Sequence, residues 1–257
     1  MNKLKKNFFF NPSMFFDAHC HLNEFQAPEK EIIECRKAKV ALIASNSVDL
    51  DSMQKNLLLV EKFPEVKCAL GLHPSNLLRM NEKEAIESVK FIEKNIELAS
   101  AVGEIGLDYK HADCPKKKER QKKFFEQQLE IAERNGKPVI VHSRMAAKDC
   151  IALLQNHECK ALMHWFSGSK EELEEAVRLG AFFSIGPAVE FSQEIRAIAR
   201  IIPAERLLSE TDAPVSFQGK SSAPHWIPRV VKAIAAARGE EKRQIVLQIE
   251  KNFKNFF

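Results

Sequence analysis

Short apolar runs alternate along this chain with longer stretches in which apolar and charged residues recur at helical spacing. Several of the apolar runs are continuous rather than alternating, which is typical of parallel strands covered on both faces. The pattern predicts eight strands, at Phe15–His19, Val40–Ser45, Val66–Leu72, Ala101–Ile105, Val139–His142, Ala161–His164, Ala181–Ile185 and Arg206–Glu210.

The stretches between the strands have the features of amphipathic helices. Clear examples are Asn81–Asn95, Lys116–Asn135 and Ser169–Leu179. Ser169 and Glu172 have the spacing of a capping box. Gly136 and Gly180 stand where helices commonly end with a left-handed residue, so both are predicted C-terminal caps.

The strand–helix steps between His19 and Asp212 average about 27 residues, close to the size of a βαβ unit. We therefore predict an α/β fold, a (β/α)8 TIM barrel, as a single domain over residues 14–257. An open doubly wound sheet is the alternative, and it would place ligands after one or two strands only. Ionisable residues here end strands from the first to the eighth. Because only a closed barrel gathers these ends around one mouth, the barrel is favoured.

Composition changes this interpretation little. The 257 residues are 45% hydrophobic and 29% charged, which is ordinary for a globular protein. The net charge of +4 is too small to indicate a nucleic-acid partner by itself. No apolar run approaches the roughly 18 residues of a membrane span. The six cysteines form no C-x-x-C pair, which favours a reducing, cytoplasmic setting.

The first 13 residues carry three lysines and then Phe8-Phe9-Phe10. This apolar segment ends at Asn11-Pro12 and is shorter than the roughly 7–15 apolar residues of a signal peptide. We interpret residues 1–13 as a disordered leader rich in basic residues and phenylalanine. A start of translation at Met14 is an alternative.

The first strand end carries a pair of candidate metal ligands. Strand alternation turns Asp17, His19 and His21 in one direction and Cys20 in the other. We expect His19 and His21 to hold one cation, with Asp17 placed to orient one of the two rings. Cys20 is not expected to be a ligand.

Later strand ends supply the remaining candidates. Glu104 lies between glycines and can offer one oxygen to each of two cations, although a salt-bridged glutamate is the alternative. His142 and His164 end successive strands, and neutral imidazole suits zinc or manganese. Asp212 is a candidate ligand and a candidate acceptor of a proton from metal-bound water. Glu210 shares its face and is expected to support the site.

A charge sum indicates the substrate class. Two divalent cations carry more positive charge than the negative charge of Glu104, Asp212 and a bridging hydroxide together. The excess positive charge would attract an anionic substrate such as a phosphodiester and stabilise its transition state.

At this point the chain resembles the TatD family of metal-dependent deoxyribonucleases, which belong to the amidohydrolase-like barrel enzymes. The resemblance covers about Met14 to the C-terminus. It rests on six ordered segments: Phe16-Asp17-Ala18-His19-Cys20-His21-Leu22, Gly71-Leu72-His73-Pro74, Val102-Gly103-Glu104-Ile105-Gly106-Leu107-Asp108-Tyr109, Pro138-Val139-Ile140-Val141-His142-Ser143-Arg144, His164-Trp165-Phe166-Ser167-Gly168-Ser169 and Leu208-Ser209-Glu210-Thr211-Asp212-Ala213-Pro214.

The resemblance implies two divalent metal ions, Mg²⁺ or Mn²⁺ in function, with Zn²⁺ compatible with the same ligands. It implies that one ion is held by His19, His21 and Asp212, that Glu104 bridges, and that the second is held by His142 and His164. It also implies that His73 and Arg144 contact the substrate phosphate, although His73 has a helix-capping role as its alternative. The implied activity is 3′→5′ removal of nucleotides from DNA. Asp212 and Glu104 are the implied catalytic residues, which assist the attack of a bridging hydroxide.

Two positions depart from the family pattern. Trp165 stands where a cysteine is usual, and Ser221-Ser222-Ala223-Pro224 replaces an Arg-Asn-x-Pro segment, which puts the rigidity of that loop and the affinity for nucleic acid in question. His225-Trp226 beside it is interpreted as a packed helix start rather than a base-stacking pair. His111 and His157 are interpreted as surface residues.

Two other functions stay open at the level of sequence. The same site could hydrolyse an ester or amide, as in a deacylase of misacylated tRNA or a cyclic amidase. A catalytically silent nucleic-acid or partner-binding protein is the other alternative, and the complete ligand set argues against it. DNA is the expected partner, and the sequence indicates neither a membrane nor an obligate protein partner.

Overall fold

The computed structural model describes residues 14–257 and places eight parallel strands at its centre. The strands are β1 Phe15–Cys20, β2 Val40–Asn46, β3 Val66–Leu70, β4 Ala101–Gly106, β5 Val139–His142, β6 Ala161–Met163, β7 Phe182–Ile185 and β8 Leu207–Ser209. Each strand pairs with the next in chain order, and together they form a nearly closed barrel with alternating helices. The predicted TIM barrel is therefore confirmed. The predicted leader, residues 1–13, lies outside the described residues.

Ten helices surround the barrel within residues 14–257. They are α1 Pro28–Lys37, α2 Leu50–Lys62, α3 Pro74–Leu77, α4 Glu82–Asn95, α5 Pro115–Arg134, α6 Ala147–Leu154, α7 Lys170–Arg178, α8 Gln193–Ile201, α9 Ile227–Arg238 and α10 Lys242–Phe256. None of them combines the length and the apolar composition needed to cross a bilayer. The predicted capping box is present, since the Ser169 and Glu172 side chains each accept the other residue's backbone N–H.

Both predicted glycine caps are confirmed, because Gly136 (φ 59°) and Gly180 (φ 81°) adopt left-handed conformations directly after the last turns of α5 and α7. At each position a side chain with a Cβ would be strained by the backbone conformation. The glycines therefore end these helices and allow the chain to turn back toward the next strand.

Hydrogen bonds and α10 close the seam between β8 and β1. Ser209 Oγ donates to the Phe16 carbonyl at 2.8 Å, and the Asp212 N–H donates to the His19 carbonyl at 2.9 Å. Phe253 of α10 packs on Phe16 with ring centroids 5.1 Å apart. The contacts bring the end of β8 against the end of β1, so residues far apart in sequence meet at the mouth of the barrel.

The loop between β8 and α9 contains a short hairpin, β9 Ser216–Phe217 and β10 Lys220–Ser221. Ser221 Oγ donates to the Pro214 carbonyl at 2.7 Å, and Ser222 Oγ donates to the Val215 carbonyl at 2.8 Å. These hydroxyls tie the loop back onto the segment that follows Asp212. In this chain serine hydroxyls therefore provide the loop closure that the missing Arg-Asn segment had put in question.

Candidate metal centre

The structure brings the six predicted ligands together at the C-terminal mouth of the barrel. Their side chains come from the ends of five strands or from the residues that directly follow them. They are His19, His21, Glu104, His142, His164 and Asp212. Five of them are buried and His142 is partly buried, as expected for ionisable groups that have a common partner.

The first group of donor atoms has the dimensions of a tetrahedral cation site. His19 Nε2 lies 3.3 Å from His21 Nε2, 3.5 Å from Glu104 Oε2 and 3.2 Å from Asp212 Oδ1. His21 Nε2 lies 3.3 Å from Glu104 Oε2 and 3.4 Å from Asp212 Oδ1. Four donors at about 2.0–2.1 Å from a central ion are separated by about 3.3–3.4 Å. A small divalent cation therefore fits between them.

The second group is built around the other oxygen of Glu104. His142 Nδ1 lies 2.7 Å and His164 Nε2 lies 2.8 Å from Glu104 Oε1. The two ring nitrogens are 3.3 Å apart. This group offers three protein donors, so a cation held here would keep positions for water or a substrate oxygen.

Glu104 thus presents one oxygen to each group, as its place in the sequence had suggested. Gly106 makes this placement possible, because it has φ 131° and a Cβ there would come within 2.1 Å of the His142 carbonyl oxygen. The absence of a side chain lets the end of β4 approach β5 closely. The Glu104 carboxylate consequently lies between histidines from different strands.

Both candidate carboxylate ligands are ionised despite their burial. Burial by itself raises the pKa of Glu104, but the surrounding histidines, His164 foremost, outweigh it and hold the pKa well below its ordinary value. For Asp212, hydrogen bonds with His19 and His21 likewise outweigh burial and lower the pKa. The site therefore keeps two negatively charged carboxylates, Glu104 and Asp212. Cations and protons would compete to bind them.

The carboxylates raise the pKa of three of the four ligand histidines, whereas burial and His164 lower the pKa of His19. Burial lowers the pKa of His21, but hydrogen bonds with Asp212 and Glu104 raise it overall to about 10. The pKa values of His142 and His164 are also raised, since their contacts with carboxylates outweigh burial. Imidazolium charge thus occupies the place where cation charge would be, which fits the chemistry of a metal site.

Asp108 orients two residues of the site, and the sequence alone gave it no role. Its Oδ2 lies 3.1 Å from His142 Nε2, and the same carboxylate accepts hydrogen bonds from Arg144 Nε at 3.1 Å and Ser75 Oγ at 2.9 Å. Burial raises the pKa of Asp108, and the contacts with His142 and Arg144 outweigh it and lower the pKa. A carboxylate behind a ligating histidine fixes the ring and its tautomer.

Two other ligand histidines also have a partner behind the ring. His21 Nδ1 lies 3.2 Å from the Asn46 carbonyl, which leaves Nε2 free to face the centre. Glu210 Oε2 lies 3.5 Å from His164 Nδ1, and Ser184 Oγ donates to this oxygen at 2.6 Å. Glu210 is therefore placed as the sequence analysis predicted, in support of a ligand rather than as a ligand.

The role expected for Asp17 was wrong. Its carboxylate accepts hydrogen bonds from the Thr211 N–H at 3.0 Å and from the Thr211 hydroxyl, as well as from the backbone N–H of His19 at 3.3 Å. It does not hold the His19 ring, because the neighbouring end of β8 offers closer donors across the seam. Cys20 is buried and outside the cluster of candidate ligands, as expected.

His73 combines the two roles that the sequence left open. Its Nδ1 accepts the Ser75 N–H at 3.1 Å and so caps α3, while Nε2 lies 3.4 Å from Glu104 Oε1. Burial lowers the pKa of His73 to about 4 despite the opposing effect of Glu104. The ring is therefore neutral at pH 7, and an Nδ1 that accepts leaves the proton on Nε2, facing the site.

The candidate ligands open into a cavity of about 630 Å³, within the usual size of a small-molecule site. Arg144 lies in its wall with 41% of its side chain exposed. Arg79 and His73 also line this cavity. Positive and hydrogen-bond-donating groups therefore line part of the cavity, which Glu24 and Asp49 line as well.

Comparison with known proteins identifies the family. Residues 16–257 match the family described as TatD related DNase. The chain belongs to this family. It is 31% identical to the uncharacterized metal-dependent hydrolase YabD of Bacillus subtilis, over 95% of this chain and 99% of that protein. It is 28% identical to deoxyribonuclease TATDN3 of Homo sapiens, over 94% and 93% of the two chains.

A solved structure agrees with this assignment. The crystal structure of YjjV, a TatD homologue from Escherichia coli, superposes with a TM-score of 0.86 and 29% identity, covering 95% of this chain and 97% of that one. The chain is therefore a metal-dependent hydrolase of the TatD family. The cluster at the barrel mouth is its candidate metal centre.

The remaining histidines of this TatD protein are outside the centre. His225 Nδ1 lies 3.2 Å from Glu31 Oε2 at the start of α9, in agreement with its interpretation as part of a packed helix start. His157 Nδ1 lies 2.9 Å from Glu133 Oε2 but is more buried than predicted, with 12% of its side chain exposed. His111 is exposed, as expected.

Proposed function

We propose that this TatD protein is a phosphodiester hydrolase that acts on DNA and removes nucleotides in the 3′→5′ direction. The proposal rests chiefly on the placement of Glu104, whose two oxygens face two separate donor groups. A pair of cations close together is the arrangement used for in-line displacement at phosphorus. The similarity to the human deoxyribonuclease TATDN3 supports the same chemistry.

The chain's own residues divide the work around two divalent cations, Mg²⁺ or Mn²⁺. His19, His21 and Asp212 would hold one, His142 and His164 the other, and Glu104 would contact both. When bound, such cations lower the pKa of a water molecule and polarise the phosphodiester. Asp212 is ionised and lies at the mouth, so it can accept the proton released during attack.

In this proposal Arg144 and His73 bind the non-bridging phosphate oxygens. Arg144 donates to the Asp108 carboxylate through both Nε and Nη2, which holds the guanidinium in the cavity wall before substrate arrives. A positioned guanidinium forms strong hydrogen bonds with phosphate oxygens, and little reorganisation is needed in the transition state. The Nε2 proton of His73 adds a neutral donor on the Glu104 side of the cavity.

A cleavage assay tests this proposal. Purified protein is incubated with end-labelled single- and double-stranded DNA, with EDTA and then with Mn²⁺ or Mg²⁺ restored. We expect mononucleotide release from the 3′ end that stops with EDTA and returns with metal. Asp212→Asn and Glu104→Gln should lose it, whereas Asp113→Asn, which alters an exposed carboxylate paired with Lys117, should not.

The same preparation is assayed on aminoacyl-tRNA and on small cyclic amides. Hydrolysis of one of these substrates with no cleavage of DNA under any metal would reject the nuclease function. DNA cleavage that survives chelation would reject the role of the cations.

A further inference from the structure

We propose that Trp165 is the platform on which an unpaired nucleobase stacks beside the metal centre, an inference that rests on the proposed function. Trp165 directly follows the candidate ligand His164 and lines the same cavity. Trp165 packs against the core but stays partly exposed, whereas its neighbour Phe166 is buried.

The backbone of Trp165 is fixed in a conformation that bulky residues rarely adopt. Its φ is 40°, in the left-handed region that favours glycine. Such conformations persist where the surrounding structure determines them, and they cluster at functional sites. The backbone at the point where the indole is attached is therefore set by the fold.

Neighbouring aromatic side chains support the indole. Phe217, which is buried, packs against Trp165 with ring centroids 5.1 Å apart and an angle of 31° between the planes. Phe191 lies next to Phe217 at a centroid distance of 6.3 Å. These three residues come from the loops after β6, β7 and β8 and form an aromatic cluster, of which Trp165 lines the cavity. An indole that packs against other aromatic rings is a rigid surface. Less conformational entropy is therefore lost when a flat ligand stacks on it.

The cavity offers two kinds of contact. Val215 and Trp165 contribute apolar surface to its lining, Arg144 and His73 contribute hydrogen-bond donors close to the candidate metal ligands, and Glu24 and Asp49 also line it. A nucleotide has two corresponding parts, a flat base that can stack and a charged phosphate that can accept hydrogen bonds. Aromatic side chains stack on any base with little sequence preference, but the base must first leave its pair. The occupant that fits is the base of a single-stranded or frayed 3′ end.

Tryptophan fluorescence tests the platform without turnover. The chain has two tryptophans, Trp165 and Trp226, so Trp226→Phe leaves Trp165 as the reporter. This variant is titrated in EDTA with a short single-stranded oligonucleotide, and with the same oligonucleotide lacking its 3′-terminal base. We expect quenching by the first that is lost or much weaker with the second. Equal quenching by both, or none with either, would overturn the proposal.

Kinetics with metal provide the second arm. Trp165→Ala should raise KM for single-stranded DNA about 5- to 150-fold, the range that corresponds to stacking worth about 1–3 kcal/mol per base. The effect on kcat should be smaller, and Trp165→Phe should restore most of the affinity. With the abasic 3′ end, the replacement should change KM little. Trp226→Ala is the matched control, because Trp226 contacts Arg229 outside the cavity.

The fluorescence titration and the kinetics together distinguish a failure of the proposed role of Trp165 from a failure of the proposed nuclease function. If the wild-type protein cleaves DNA and Trp165→Ala has an unchanged KM, the platform is wrong and the nuclease function stands. If no metal supports cleavage but the oligonucleotide still quenches Trp165 in a base-dependent manner, the platform stands and the nuclease function is wrong. Circular dichroism and metal content of each variant show that a loss is not due to unfolding.

Discussion

Asp108 Oδ2 lies 3.1 Å from His142 Nε2, and the same carboxylate accepts a hydrogen bond from Arg144. One buried side chain thus links a candidate metal ligand to a candidate phosphate-binding residue. Any change in the position of Asp108 would therefore alter both the metal centre and the substrate contact. The contacts with Asp108 fix the position of His142, at the end of β5, relative to Arg144, in the loop after β5.

Asp108→Asn should weaken metal binding about 10- to 100-fold, the usual effect of removing the group that orients a ligating histidine. The amide is neutral and cannot accept from His142 and Arg144 as a carboxylate does. Competition with a chelating indicator dye measures the affinity. Asp113→Asn, an exposed residue of the same type, is the control. An unchanged affinity in Asp108→Asn would mean that Asp108 does not orient His142.

Metal binding should release protons. Hydrogen bonds with Asp212 and Glu104 outweigh burial and raise the pKa of His21 to about 10, so its imidazole is protonated at pH 7. A cation binds only the deprotonated ring, so affinity should rise with pH up to about pH 10 and fall on acidification. Calorimetric titration in buffers with different ionisation enthalpies counts the protons. A binding enthalpy that is the same in all buffers would contradict the prediction.

Asp17 should contribute to the free energy of unfolding rather than to the binding of metal ions. Asp17→Ala leaves the donors of Thr211 without their acceptor and should cost about 1–3 kcal/mol of unfolding free energy. Asp17→Asn keeps an acceptor of the same shape and should be tolerated. Urea unfolding in EDTA compares the variants. Equal stability of the alanine and asparagine variants would show that the hydrogen bonds to Thr211 contribute nothing.

The same pair of proteins tests the ionisation of Asp17. Burial raises its pKa well above the ordinary value, although hydrogen bonds from Thr211 and His19 oppose the shift. An acid whose pKa is raised on folding contributes stability at low pH and loses it as pH rises above the unfolded value of about 3.9. The stability of Asp17→Asn relative to wild type should therefore increase from pH 4 upward. A constant difference would contradict the raised pKa.

The serine contacts of the β8–α9 loop give a further prediction. Replacing both Ser221 and Ser222 by alanine removes the hydrogen bonds to Pro214 and Val215. Amide hydrogen exchange over residues 213–223 should become faster, since the loop loses two of its ties. The nearby exposed Ser216 gives a control substitution. Exchange that is unchanged in the double variant would show that the hydroxyls do not stabilise the loop.

Most of the fold could be predicted from the sequence, because barrel strands buried on both faces are continuous apolar runs. Val139–His142 was predicted with the bounds that the structure has, whereas Val66–Leu72 ends two residues earlier, at Leu70. Those last residues are as apolar as the strand itself, and only pairing with a neighbour decides where a ladder stops. Ionisable residues at the strand ends could be placed at one mouth for the same topological reason.

The contacts beyond the strand ends could not be predicted. Asp108 lies in the loop after β4, and its partners His142, Arg144 and Ser75 belong to other segments. Alternation fixes the direction of a side chain within a strand and says nothing about a loop. Asp17 illustrates a related limit. The alternation of side chains along β1 predicts the face on which Asp17 lies, but it does not predict that Thr211, across the seam, is its hydrogen-bond partner.

Anomalous diffraction from crystals soaked with Mn²⁺ tests the central claim most directly. We predict two peaks separated by about 3.5–4 Å, the spacing of two-metal hydrolases. One peak should lie within bonding distance of His19, His21 and Asp212, and the other of His142 and His164, with Glu104 contacting both. A single peak at the mouth, or manganese bound only elsewhere, would contradict a two-cation centre bridged by Glu104.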